Sequence, residues 1–314
     1  MNTYICLAFA IITFSCSSED RSESGGTQDF KFSYEIDTVL IDSNDVLFFL
    51  NDGLMGSGLS PDFNKLYTYN EAVSRLNIVD LEKLEFLDSL PLEKEGPNGI
   101  GEMGIGNINV TDSGDYYFFV FRGIKHFDAA GNLKSEINWI TDEKILNQLA
   151  NGALEFHSDR ISPDGSTYFG IYTASNIPDR PQEDGLAIMD LKSKNLRMID
   201  IPALKMLNEF TIRLIENGGT AIAGDQAYLK VNDSKILISN SAVNGVSVYD
   251  MELDSLSNFS YETELLPAEK PGKYPRQVGT MEAFRSAWLK KGRNRYMESF
   301  ISMVQLGIIT ASVF

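Results

Sequence analysis

One local grammar recurs four times along this 314-residue chain, and it constrains the fold more than any other feature. A turn rich in Ser, Asp, Asn and Gly precedes a short apolar strand. After a gap comes a second apolar strand that ends in Asp, then a polar turn and a third strand. The turns are Ser60-Pro61-Asp62-Phe63-Asn64, Thr111-Asp112-Ser113-Gly114, Ser162-Pro163-Asp164-Gly165 and Val231-Asn232-Asp233-Ser234. The second strands are Arg75–Asp80, Ile124–Asp128, Leu186–Asp190 and Val246–Asp250; the third are Glu85–Leu90, Leu133–Trp139, Asn195–Ile201 and Asn258–Glu264. Such turns close antiparallel hairpins, because Asp, Asn and Gly tolerate positive φ and bond their own backbone. A sheet of three or four short strands with two apolar faces cannot cover itself, so the units must stack. Unit starts lie 51, 51 and 69 residues apart, the spacing of propeller blades. The pattern therefore predicts an all-β fold of the β-propeller type. A β-sandwich gives no reason for the same grammar to return four times. Helical periodicity is clear only at Asp142–Leu149 and Thr280–Leu289.

Composition narrows the function. A formal net charge of −17 leaves no basic patch for nucleic acid and argues against electrostatic docking on anionic lipid. Cys6 and Cys16 are the only cysteines, and His126 and His157 the only histidines. The body of the chain therefore offers no disulfide, no thiol nucleophile and no expected zinc site. No HExxH, GxSxG or P-loop is present, and nothing calls for a cofactor.

The N-terminus reads as an address. Cys16 follows a short uncharged, mostly apolar run ending Thr13-Phe14-Ser15, and Ser17-Ser18-Glu19-Asp20 comes next. This looks like a bacterial lipobox, with residues 1–15 a lipoprotein signal peptide and Cys16 the lipidated residue. Residues 1–15 carry no Lys or Arg, so the positive n-region is missing. The apolar run is shorter than the roughly 20 residues of a spanning helix. Residues 16–29 form a flexible acidic tether, 30–290 the propeller domain and 291–314 an atypical tail.

The segment from Glu95 to Gly106 is the most unusual. Gly99, Gly101 and Gly104 satisfy GxGxxG, but a dinucleotide site needs a strand before and a helix after. Here a strand, Asn107–Val110, follows. The bland reading is a close-packed blade connection. The functional reading is a channel-facing loop in which Glu95, Asn98, Gly99, Gly101 and Glu102 bind a ligand, with backbone amides holding an anion. Asp62, Asp112, Asp164 and Asp233 read as turn residues, and Asp80, Asp128, Asp190 and Asp250 as structural repeats. Glu155-Phe156-His157-Ser158-Asp159-Arg160 holds Ser, His and Asp together, but a true triad draws them from separate elements, so the structural reading is preferred. Tyr172–Asp184 reads as a polar insertion. No catalytic residue is assigned.

The ordered set of lipobox, acidic tether, Asp37-Thr38-Val39-Leu40-Ile41-Asp42, the EGPNGIG loop, the S-P-D-G turn and Tyr274-Pro275…Met281-Glu282-Ala283-Phe284 resembles a Bacteroidetes surface-lipoprotein family of unknown function with a six-bladed, TolB/NHL-like β-propeller. The resemblance covers roughly residues 1–290. It implies an outer-membrane protein, lipid-anchored and surface-exposed, and no catalytic residues. The expected function is a binding or scaffold module for a glycan, peptide or protein ligand, its membrane contact made through the lipid. The alternative is an extracytoplasmic hydrolase or lyase acting on glycan or peptide. After about Trp288 the pattern departs: Lys290-Lys291-Gly292-Arg293-Asn294-Arg295 is followed by Ser299–Phe314 without a charged residue. The expectation is a propeller incomplete at the C-terminus, its frame disrupted and its last one or two blades missing.

Overall fold

The computed structural model describes residues 39–292, apart from residues 47, 49–53, 55, 102–103, 150–154, 174–183, 217–218, 262–266, 271 and 273. The expected signal peptide, Cys16, the tether, Glu102, most of the 172–184 insertion and residues 293–314 of the tail lie outside the described residues.

Four sheets are four-stranded antiparallel meanders whose strands follow chain order. Blade 1 holds β1 (Ser57–Leu59), β2 (Lys65–Asn70), β3 (Arg75–Asp80) and β4 (Glu85–Pro91). Blade 2 holds β5 (Ile105–Val110), β6 (Tyr116–Val120), β7 (Gly123–Phe127) and β8 (Leu133–Asn138). Helix α1 (Glu143–Leu146), capped by the Asp142 carboxylate, leads to blade 3: β9 (Glu155–Ile161), β10 (Thr167–Thr173), β11 (Asp184–Asp190) and β12 (Leu196–Asp200). Helix α2 (Pro202–Lys205) and a 3₁₀ turn precede a hairpin, β13 (Ile212–Glu216) and β14 (Gly219–Ala223). Blade 4 holds β15 (Ala227–Asn232), β16 (Lys235–Asn240), β17 (Gly245–Asp250) and β18 (Ser255–Ser260). Strand β19 (Gln277–Val278) then pairs in parallel with β13, and α3 (Met281–Gly292) packs on that small sheet. No described helix is long and apolar enough to cross a membrane.

The repeated turns do what their chemistry dictates. Asp62 and Asp164 each accept a hydrogen bond from a serine hydroxyl two residues back, at 2.5 Å, and from the backbone N–H two residues on. Asp80, Asp128, Asp190 and Asp250 each accept backbone N–H bonds from the turn that follows their strand. Asp62, Asp164 and the four strand-ending aspartates are turn-closing carboxylates, while in the second turn the Thr111 hydroxyl accepts the Asp115 N–H at 3.1 Å. One boundary differs from the sequence reading. Each blade begins one strand earlier, with the strand before the Ser/Asp turn. The wide 69-residue interval holds α2 and the β13–β14 hairpin, which lie between blades 3 and 4.

The first strands are innermost: β1 lies against β5, β5 against β9, and β9 against β15. Gly58 permits the closest approach, since a Cβ there would sit 2.0 Å from the Ile108 carbonyl oxygen. Alternation along the second strands then buries both faces of the middle blades. Tyr116 and Phe118 of β6 pack with Tyr67 and Leu76 of blade 1, while Tyr117 and Phe119 pack with Tyr168 and Met189 of blade 3. On β10, Tyr168 and Tyr172 join that same core, while Phe169 and Ile171 join Leu229, Ile236 and Tyr249 of blade 4. Sheets stacked face to face around convergent inner strands make a propeller-like arc.

A buried ion cluster ties the C-terminal part of the described chain to this arc. Asp225, between β14 and β15, has a fully enclosed side chain. Lys270 Nζ lies 2.7 Å from its Oδ1, Lys291 Nζ 2.9 Å from its Oδ2, and Ser241 Oγ donates to Oδ1 at 2.9 Å. Lys291 also donates to the Ala223 carbonyl. Helix α3 therefore carries the Lys290-Lys291-Gly292 run into the folded domain. Burial alone pushes the Asp225 carboxyl up, but the hydrogen bonds and charges of the two lysines outweigh it and hold it below the usual range. A depressed carboxylate stabilises the fold above its unfolded pKa of about 4, and that contribution is lost as pH falls through the lower native value. We expect Asp225→Asn to cost about 3–5 kcal/mol at pH 7 by removing one partner of a buried pair. In urea unfolding the gap from wild type should narrow toward pH 3; equal midpoints at pH 7 would contradict this account.

Candidate functional site

A cavity of about 750 Å³ opens where the inner strands β5, β9 and β15 begin. Its wall takes Gly104, Gly106 and Asn107 from blade 2, Phe156–Arg160 from blade 3 and Asp225–Tyr228 from the start of blade 4. Phe121, in the β6–β7 turn, stands at the rim 53% exposed, with the Arg122 guanidinium 4.4 Å from its ring centroid. The volume falls within the roughly 300–1,000 Å³ of small-molecule sites.

A β-bulge sets the chemistry of this wall. Strand β9 pairs Arg160 with Phe169 and His157 with Ile171, so Ser158 and Asp159 together oppose Gly170. Ser158 takes up the extra residue at φ +57 and donates its hydroxyl to the Ala227 carbonyl at 2.7 Å. Bulges re-aim side chains in this way. Asp159 then accepts a 2.5 Å hydrogen bond from the Tyr168 hydroxyl. Gly170 is required for that contact, because a Cβ there would lie 1.9 Å from the same hydroxyl oxygen. The Asp159 carbonyl is fixed from two sides, by Asn107 Nδ2 at 3.1 Å and Arg160 Nη1 at 2.7 Å.

The electrostatics are unequal. Enclosure pushes the Asp159 carboxyl up to about 6, against the opposing pull of the Tyr168 hydrogen bond and the Arg160 charge. Burial likewise drives Tyr168 far above an ordinary phenol and draws Arg160 below an ordinary guanidinium. Asp225, the other carboxylate in the wall, stays ionised in its lysine cluster. The cavity thus holds one carboxyl poised to change charge near neutrality and one that does not.

Gly104 and Gly106 reach the cavity wall, but Glu95, Asn98, Gly99 and Gly101 do not line it. The N–H groups of Gly99, Ile100 and Gly101 donate to Gly96, Glu93 and Lys94 carbonyls, so these amides are spent inside the loop rather than offered to an anion. The Gly99 carbonyl accepts from Lys125 Nζ at 2.7 Å. A Cβ on Gly99 would lie 2.7 Å from the Lys94 carbonyl oxygen, a close approach of backbone to backbone. Ser158 Oγ lies 3.4 Å from His157 Nδ1, but its hydroxyl donates to the Ala227 carbonyl at 2.7 Å, and the Asp159 carboxylate accepts from Tyr168. Yet the segment set aside as structural supplies most of the cavity's polar wall.

A second hollow of about 410 Å³ lies between blades 2 and 3. There His126 stacks on Tyr117 at 4.3 Å and meets Asp115 through Nε2 at 2.8 Å. Ser135 Oγ lies 3.5 Å from Nδ1, beyond a normal hydrogen bond. Among the described residues no group of three or more His, Cys, Asp or Glu is arranged to hold a metal.

Comparison with known proteins gives a family. A family model described as a domain of unknown function, DUF4221, matches residues 29–301. Among solved structures, a DUF4221 member from Bacteroides vulgatus is similar at 17% identity and a TM-score of 0.47, over 69% of this chain and 60% of that one. A putative 6-phosphogluconolactonase from Bacteroides uniformis is similar at 14% identity and a TM-score of 0.34, over 64% and 52%. Hydrazine synthase from Kuenenia stuttgartiensis is similar at 14% identity and a TM-score of 0.32, also over 64% and 52%. The chain thus spans three fifths or less of the length of these three structures. No curated protein matches the sequence. With the family model covering most of its length, the chain belongs to the DUF4221 family, a domain of unknown function.

Proposed function

We propose that this chain is a binding module of the cell envelope, tethered through lipid on Cys16 and holding a small polar ligand, of glycan or peptide type, in the cavity at the head of β5, β9 and β15. The observation that carries this reading is the bulge in β9. It breaks an otherwise regular inner strand at the one place that turns Asp159 and its neighbours into the cavity. Aromatic surfaces at Phe121, Phe156 and Tyr228 stand beside Asn107, Asp159 and Gln226, the mixture of apolar area and few polar groups that orients small ligands. The surface-lipoprotein character rests on the lipobox-like sequence around Cys16 and on the resemblance to a Bacteroidetes family.

The shifted Asp159 favours a second reading, a hydrolase or lyase, because perturbed acids gather at catalytic sites. Against it, Asp225 is enclosed and ion-paired, so the described wall presents a single titrating carboxyl rather than a facing pair.

Gly104 separates the readings from mere stability, since a Cβ there meets nothing within 4 Å. We expect Gly104→Trp to fill the cavity while leaving the melting temperature within a degree or two. In a thermal-shift panel of oligosaccharides and short peptides, a ligand present at about 100 Kd stabilises by about 2.7 kcal/mol. That gain should be absent in Gly104→Trp, and chromatography should show the ligand recovered intact. A shift that survives in the variant excludes the cavity, and product formation lost in Asp159→Asn establishes the enzyme. The tether is tested separately: radiolabelled palmitate should mark the wild type and not Cys16→Ala, and equal labelling refutes the anchor.

A further inference from the structure

The cavity wall contains a cation that its described neighbours leave under-used. Arg160 carries five N–H donors. Among the described residues its one hydrogen bond runs from Nη1 to the Asp159 carbonyl at 2.7 Å, and no carboxylate lies within ion-pair distance of its guanidinium. The side chain is largely enclosed yet forms part of the cavity surface. A desolvated charge steadied only by the through-space field of Asp159 is costly, and a planar fork with open donors matches a carboxylate, sulfate or phosphate. The two lysines nearby do not offer the same group, because both are turned onto Asp225.

Building on the binding-module reading, we propose that Arg160 is the anion anchor of the cavity, so that its ligand carries a carboxylate, sulfate or phosphate group on a ring or chain that packs against Phe121 and Phe156. Asp159 then acts as the gate on this anchor. Its carboxyl, raised to about 6, is neutral in acid and repels an anion once ionised. Affinity therefore falls as pH rises through that range. Tyr168 from β10 bonds the Asp159 carboxyl; the other titratable or charged groups of the same cavity wall are His157 and Arg160 from β9, Tyr228 from β15, and Asp225 with its lysines, while Asn107 and the glycines of blade 2 add no charge.

The matched probes are glucuronate, glucose 6-sulfate and glucose 6-phosphate against glucose, with the full chain, read by calorimetry and by the arginine side-chain ¹H–¹⁵N spectrum. One Nε–H signal, missing in Arg160→Gln, should move with at least one anionic probe and not with glucose. Arg160→Gln should weaken that binding at least tenfold and Arg160→Lys less, with unchanged circular dichroism. Which probe moves it distinguishes carboxylate from sulfate and phosphate. Asp159→Asn should remove the loss of affinity above pH 6, whereas His157→Gln should keep it. Glucose bound equally by wild type and Arg160→Gln, with no preference for the anions, overturns the anchor and leaves the cavity reading standing. No anion-dependent movement of any arginine signal overturns the anchor whether or not the cavity binds something else.

Discussion

A sheet apolar on both faces has no stable existence alone, and the rest of this structure follows from that constraint. The run Tyr116-Tyr117-Phe118-Phe119 sends two aromatic rings to each side of blade 2, and Tyr168 to Tyr172 repeats the device in blade 3. Burying a large aromatic side chain is worth a few kcal/mol relative to leaving it in water. Neither blade gains that without a neighbour on each side. Once the blades stack, their first strands are forced together, and Gly58 is the residue that lets the first two backbones meet. The cavity is a by-product of this convergence: three blades supply its wall, and no single blade contains it.

Two carboxylates border the cavity and show how little residue type decides by itself. Asp225 is enclosed with two ammonium groups and a serine hydroxyl, so its charge is favoured. Asp159 is enclosed with a phenol and lacks a contacting cation, so its charge is disfavoured. The first fastens α3 to the start of blade 4. The second leaves a protonatable carboxyl beside the Arg160 guanidinium in the cavity wall.

Much of the fold was legible because turn chemistry is local. The Ser60 and Ser162 turns and the strand-ending Asp80, Asp128, Asp190 and Asp250 close hairpins through their own side chains, and their spacing announced stacked blades. The innermost strands were harder to assign. They precede the turns that mark each unit; Ser57–Leu59 is too short to show alternation, and Glu155–Ile161 is interrupted by its polar run and bulge. The site was less legible still. The polar run His157–Arg160 carries no apolar alternation, and its place in a strand is seen only once β10 pairs with it. Its one available signal was a stretch of four polar residues inside a strand flanked by Phe156 and Ile161. The glycines of 96–106 drew attention for a backbone freedom that the loop spends on its own hydrogen bonds. Lys291 sat in a basic run that read as departure from the domain, because nothing local reveals that Asp225, 66 positions earlier, lies opposite it.

Native-state hydrogen exchange on the full chain shows whether these sheets are stable only as a stack. The amides of β6, β10 and β16, each from a different blade, should exchange through one shared opening, with the same free energy and the same denaturant dependence. Separate openings for each blade, each with its own smaller denaturant slope, would contradict it.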